Sequence, residues 1–487
     1  MVIQLLFGYD RDIVLSQRSN HIMAANAKLS DKDKEFRDFS LQGNMWRVVC
    51  YIGLPLALYQ SLNQIFKIFD AMMASHISAN SVSAITYLSQ INMVIAAIGG
   101  GLAIGGSIQI SSAYGLGDLA LVKQRVSSLF ALTALLGMII LTVLIPTTQV
   151  FLRLAKTPEI FIEEGSRYFI LELISTVISF FNGVYIAIER ARGNSKRILY
   201  LNMGVIAVKL GLTALFVYVL NGTINSIAIA TIISQLLLLL AAAYNLKDQN
   251  NAFGFSLASV SFQPLIIKPM ILLSIPVIME KMAFSLGKVI VNSMSTIYSP
   301  LTVGALGISN TIGGFTTTPQ NGFQDGSSAL ISQSLGADDT RRALKAFRCT
   351  LVINVLIGFV LMSLSLLFLP RISRLYAGGN ADFARMISEI YTMEALGAVP
   401  LGINSAVMAL LYGFGKTRLT LLINFSRLFV FRIPLLWFLQ QFTDIGNASV
   451  GIVMGVSNLC VGTLAVVIAV IQVRKICKEH QLSFFSL

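Results

Sequence analysis

The sequence predicts an all-α integral membrane protein with twelve transmembrane helices in two pseudo-symmetric six-helix lobes. Three observations lead there. The chain is 55% hydrophobic and only 12% charged, a balance foreign to a soluble protein of 487 residues. Apolar runs of the roughly 20 residues needed to cross a bilayer recur along its whole length. The third is an internal repeat. Pro55 in LPLALYQSLNQIFKIFD and Pro276 in IPVIMEKMAFSLGKVIV are 276 − 55 = 221 residues apart. At that offset GLAIGGSIQISSAYGLGD falls on GFQDGSSALISQSLGADD, and Gly101, Gly105, Ser107, Ile110, Ser111, Gly115 and Asp118 meet identical residues.

Hydropathy places the spans at 47–72, 82–113, 127–145, 161–188, 197–220, 226–246, 268–297, 303–334, 346–369, 385–413, 418–440 and 449–473. Residues 1–46 (with KLSDKDKEFRD) are polar and of mixed charge. They lack the pattern of a signal peptide and read as a disordered tail. The first lobe is then 47–246, a polar linker occupies 247–267, the second lobe is 268–473, and 474–487 forms a tail. The formal charge of +13 does not indicate nucleic-acid binding. Lys and Arg concentrate in the loops after even-numbered spans, such as Arg190, Arg192, Lys196 and Arg197, or Arg341, Arg342, Lys345 and Arg348. By the positive-inside rule that side is cytoplasmic. A multi-pass chain in the inner (plasma) membrane with both termini cytoplasmic is expected. Cys50, Cys349, Cys460 and Cys477 show no CxxC spacing and no clustered His, so no metal site is expected.

Six spans return each half to its starting side, so the repeats run parallel about an axis along the membrane normal. The later part of each half repeats at offset 222, where Glu172 meets Glu394, Gly193 meets Gly415 and Asn202 meets Asn424. The order of motifs is a Pro-containing first helix, a Gly-rich second helix ending SSAYGLGD or SQSLGADD, and a loop of the type RARGNSKR. RIPL and GIVMGVSN follow in the second copy. This series resembles the multidrug and toxin extrusion family of efflux antiporters, prokaryotic type. The wider superfamily also holds polysaccharide flippases, and a flippase for lipid-linked saccharides is the alternative the resemblance leaves open.

Ionisable residues at membrane depth are costly, so each is a candidate for function, with an internal ion pair as the plain alternative. Asp70, near one end of the first span, resembles the family's first-helix aspartate, which implies ion coupling. Lys67 lies one turn earlier and can neutralise it. Lys209 is about 18 Å into the fifth span. It stands where some relatives carry Asn, and Thr213 where they carry Asp. Glu394, in TMEALGAVPLG, resembles the family's tenth-helix acidic motif, which implies substrate or cation handling, and Glu172 is its repeat partner. Glu280 begins a polar stripe with Lys288 and Asn292, and its resemblance to the seventh-helix Glu implies a cation site. Asp325 replaces Ile104 of the first copy, with Gln320, Asn321 and Gln324 beside it.

No GxxxxGK[ST] motif is present, so an ion gradient of H+ or Na+ is expected to drive transport rather than ATP bound to this chain. The expected partners are a small-molecule substrate and membrane lipid, without cofactor, enzymatic activity or nucleic acid. A monomer suffices for a two-lobe design. Because the charges differ between copies, an acid–lysine cluster is expected in the first lobe and an all-acid cluster in the second.

Overall fold

The computed structural model describes residues 28–75, 79–154, 157, 159–378 and 380–482; some side chains inside these helices, Lys67 and Asp70 among them, lie outside the description. The first half contains α1 (Asp31–Gln42), α2 (Met45–Ser75), α3 (Ala79–Leu116), α4 (Leu119–Leu144), the short α5 (Thr148–Leu154), α6 (Glu159–Ala191), α7 (Ser195–Ala214) running into a π-helical turn at Leu215–Val219, and α8 (Ile224–Asn245). The second half contains α9 (Pro264–Ser295), α10 (Pro300–Gly336), α11 (Thr340–Ala377), α12 (Ala381–Ala395) and α13 (Ala398–Gly413). It closes with α14 (Thr417–Phe425), a π-helical turn at Ser426–Arg432, α15 (Ile433–Phe442) and α16 (Ala448–Glu479). The tenth expected span is the pair α12–α13, bent by 46°. Among the described residues eight helices are long and apolar enough to cross a membrane, or nine with the bent pair counted as one. The remaining expected spans are α2, α9 and α10. They are interrupted by polar side chains, including Gln60 and Gln64, then Glu280 and Lys288, then Gln320 and Asp325.

The repeat is visible in backbone detail. Gly117 and Asp338, 221 apart, both take positive φ (83° and 60°) and end their helices. The aspartates that follow, Asp118 and Asp339, accept from the backbone N–H three residues on (Leu121 and Arg342, 2.9 and 2.8 Å) and so cap the next helices. Gly193 and Gly415, 222 apart, also lie at positive φ (81° and 68°), which glycine adopts without a Cβ clash. This is why the RARGNSKR loop recurs as YGFGKTR.

Contacts divide the chain into two compact units. Unit 1 holds the described residues up to Gln42 together with Ile65–Met282; unit 2 holds Gly43–Gln64 with Ala283–Leu487. The cut runs through α2 and α9, not through the linker. Glycines matched by the repeat explain it. In unit 1, a Cβ at Gly101 or Gly105 of α3 would meet the backbone of α9 at Ile278 or Ser274 within 2.8 Å. In unit 2, a Cβ at Gly322 of α10 would stand 2.4 Å from Ala57 N of α2, and one at Gly326 2.9 Å from Ile52. Ala57 and Ile278 are themselves 221 apart. The same small-residue face therefore seats the proline helix of the opposite sequence half in both copies, the close approach that drives helix association where lipid is as apolar as the side chains.

The remaining packing is parallel in the two units. In unit 1 α6 packs on α3, α4 and α8; in unit 2 α13 packs on α10, α11 and α16. The cores are apolar, around Leu88, Phe169 and Leu173 in one and Ile387, Tyr391 and Leu428 in the other.

The N-terminal reading needs correction from residue 28 onward; its first 27 residues lie outside the described residues. The segment from Lys28 is ordered, and α1 is held by buried charge. Arg192 donates from Nε and Nη2 to both carboxylate oxygens of Asp33 (2.9 and 3.0 Å), and from Nη1 to Glu189 (3.3 Å). Asp33 is 1% exposed. Arg37 donates to the carbonyls of Tyr114 and Gly115, and Phe36 packs against Gly193. Burial pulls the Arg192 guanidinium down, but Glu189 and Asp33 more than offset this and hold it above the usual arginine range. The charges of DKDKEFRD suggested a solvated tail; one of its aspartates instead satisfies an arginine 159 residues away.

Candidate ion-coupling and substrate sites

Each unit holds a carboxylate at membrane depth. In unit 1, Asn92 of α3 donates from Nδ2 to Glu172 Oε2 on α6 (3.2 Å) and to Thr176 Oγ1 (2.7 Å). In unit 2, Ser309 of α10 donates through a short hydrogen bond to Glu394 Oε2 on α12. The repeat partners Glu172 and Glu394 are thus held alike, by a neutral side chain from the glycine-rich helix of their own half. The backbone comes close beside Glu394: a Cβ at Gly313 would stand 3.0 Å from Oε1.

The surroundings then diverge. Glu394 lies within electrostatic reach of Arg432, Arg427 and Lys288. Arg427 donates from Nε and Nη2 to Asn458 Oδ1 (3.2 and 2.8 Å); Arg432 donates from Nη2 to the same oxygen (3.0 Å) and from Nε to Ser457 Oγ (3.0 Å). Arg427 and Lys288 also lie over the Phe284 ring, at 5.5 and 5.1 Å from its centroid. Arg432 and Asn458 are 2% and 0% exposed, while Arg427 and Glu394 keep partial exposure.

Local backbone produces this convergence. Residues five apart on an α-helix point about 140° apart. Arg427 and Arg432 lie in the π-helical turn Ser426–Arg432, whose i→i+5 bonding brings such residues toward one face. The break between α12 and α13 sets Gly397 against Asn458, where a Cβ would stand 2.5 Å from the Asn458 Cβ. Gly397, one turn after Glu394, thereby packs against Asn458.

The other expected residues are dispersed. Asp325 Oδ2 accepts from Gln60 Nε2 (3.2 Å), within unit 2. Glu280 is buried on α9, in unit 1, and Lys288 of the same helix belongs to unit 2. Lys209 is partly buried on α7. The side chain of Asp70 lies outside the described residues. Among those residues no group of three or more His, Cys, Asp or Glu could hold a metal ion. The all-acid cluster expected in the second lobe is corrected by the arginines at its acid. Arg427, Arg432 and Asn458 were missing from the expected site. The signal was present, since an arginine inside an apolar run is itself a candidate. The run SRLFVFRIPL reads as a span with incidental charges until the π turn aligns them.

A family model described as MatE matches residues 55–215 and 276–438, about two-thirds of the chain. The two matches begin 221 residues apart, the offset of the repeat. The chain belongs to the MatE family. This MatE chain is 23% identical over 341 residues to the probable multidrug resistance protein YoeA of Bacillus subtilis (strain 168), covering 68% of this chain and 74% of that protein. It shares its fold with a crystal structure of MATE in complex with MaL6 (TM-score 0.85, 18% identity, 90% of this chain and 99% of that one). It also shares it with a transporter of the MOP superfamily from Pyrococcus furiosus Vc1 (DSM3638), described as having a binding pocket of reverse polarity (TM-score 0.85, 18% identity, 92% and 99%). The MatE chain is a multi-pass membrane protein with this twelve-span transporter fold, and its family supports efflux transport.

Proposed function

We propose that this protein is a secondary antiporter that exports small polar or drug-like molecules in exchange for H+ or Na+, by alternating access of its two halves. The carrying observation is the matched pair Glu172 and Glu394, each held by a neutral donor from its own glycine-rich helix. A carboxylate so placed can take up a proton or Na+ and release it. The copies divide the work: Glu172 carries the coupling ion, and Glu394, set among cations, belongs to the substrate site. The basic loops favour cytoplasmic termini in the plasma membrane. The chain acts as a monomer without a cofactor.

The test is transport in proteoliposomes under an imposed pH or Na+ gradient. Substrate movement that reverses with the gradient supports antiport; movement indifferent to both gradients overturns it. The lipid-linked saccharide flippase is the alternative, and it predicts no fall in the accumulation of a fluorescent drug when the protein is expressed.

A further inference from the structure

We infer that Arg427, Arg432 and Asn458 form a subsite for an anionic group of the transported molecule, a carboxylate or phosphate. The inference rests on the transporter reading above and adds the charge of the substrate. Two guanidiniums converge on one neutral atom, Asn458 Oδ1. Like charges held side by side, one of them 2% exposed, require compensation. None of the hydrogen bonds of either arginine goes to a carboxylate. Nη1 of each makes no hydrogen bond to a described residue, and Asn458 Nδ2 is buried without an acceptor. The site is therefore rich in donors and short of acceptors, the complement of an oxyanion, which guanidinium forks bind through paired hydrogen bonds. Glu394 lies near enough to neutralise the pair only in part, and it has a hydroxyl partner of its own in Ser309. Arg427, half-buried, is the face a ligand would reach, and Phe284 beside it offers a ring for an aromatic body.

An anion bound here replaces Glu394 as counter-charge to the arginines. That gives opposite signs for two substitutions. Glu394→Gln should tighten anion binding, and Arg427→Gln should weaken it at least tenfold, the scale of a charged hydrogen bond. Arg427→Lys keeps the charge, and so the fold, but loses the fork; it should fall between Arg427→Gln and the parent.

The experiment is equilibrium dialysis of the full-length protein in detergent with 2-naphthoate, 2-naphthyl phosphate, the neutral 2-naphthalenemethanol and the cationic 2-naphthylmethylammonium. The anions should bind at least tenfold more tightly than the neutral probe, with that preference lost in Arg427→Gln. Equal binding of anions and neutral probe, or an anion preference unchanged in both arginine variants, overturns the subsite. A second arm adds phosphatidylglycerol to the micelles. Displacement of 2-naphthyl phosphate by this lipid assigns the subsite to a lipid phosphate; undisturbed binding assigns it to a soluble anion. Dialysis involves no gradient, so absence of an anion preference in the parent protein sinks the subsite alone, and absence of a gradient response in proteoliposomes sinks only the antiporter.

Discussion

Glu172 and Glu394 occupy matching places in the repeat, and the arginines near Glu394 have no counterpart in the first copy. Both acids occupy matching turns and accept from a neutral side chain of the neighbouring glycine-rich helix. Around Glu172 the described hydrogen bonds involve Asn92 and Thr176. Around Glu394 stand two arginines and a lysine. At offset 222 Arg427 corresponds to Val205 and Arg432 to Leu210, so the two arginines belong to one copy alone, whereas Lys288 meets Lys67 at offset 221. Duplication supplied two equivalent carboxylates, and local substitution made one of them the anion of a basic cluster. Scaffold positions stay symmetric while charged positions diverge.

That contrast can be broken most sharply at the acids. Glu172→Gln is expected to abolish gradient-driven transport while leaving probe binding in detergent intact. Glu394→Gln is expected to change substrate affinity and keep the response to the gradient. Proteoliposome flux and equilibrium dialysis on both variants decide the matter, and identical behaviour would return the sites to equivalence. Next in size is a feature of unit 1 without a repeat partner, since Phe414 stands where unit 1 has Arg192. Arg192→Ala removes the ion pair of the buried Asp33 and leaves Glu189 paired with Arg197 (3.4 Å), and should cost about 3–5 kcal/mol, read as a lower midpoint of thermal unfolding in detergent.

The glycines test the symmetric side. Gly101→Val and Gly322→Val each force a side chain into the backbone of a seated helix, and each should cost about 1–3 kcal/mol. Similar losses in unfolding assays support a common scaffold; a loss in only one copy would not.

The smallest effect falls on the loop of the second copy. Lys416 donates to Gln472 (2.6 Å). Burial first, then the charge of Lys475, pull its amine down to about 8. A base whose folded value is lowered releases its proton in the folded state before the unfolded state does. Stability should therefore rise as pH climbs from about 8 toward the ordinary lysine value. Between pH 7 and 9 the gain should be on the order of 1 °C in the unfolding midpoint. Lys416→Asn, which copies Asn194 of the first half, should flatten the curve.

The fold was largely legible because its signals are local or periodic. Hydropathy placed each expected span on a helix or broken helix, with ends off by up to eight residues (127 against Leu119, 369 against Ala377), and the repeat of Pro55 at Pro276 announced two copies. The ends of α3 and α10 could be read from SSAYGLGD and SQSLGADD. What escaped depends on distant or irregular geometry. Nothing near Asp33 in the sequence points to Arg192. The meeting of Arg427 with Arg432 requires a π turn, which hydropathy does not reveal. The exchange of proline helices is invisible to a repeat comparison, because both halves look whole on paper.

The seating of each proline helix in the unit dominated by the other half bears on how such a gene can be cut and reassembled. A chain severed in the linker near residue 256 yields two fragments that look like complete ancestral copies. Neither carries the partner for its own glycine face: Gly101 and Gly105 need α9, and Gly322 and Gly326 need α2. Expressed singly, each fragment should be degraded; expressed together, they should complement. Such a duplication, once its segments were exchanged, could no longer be undone by separating the copies.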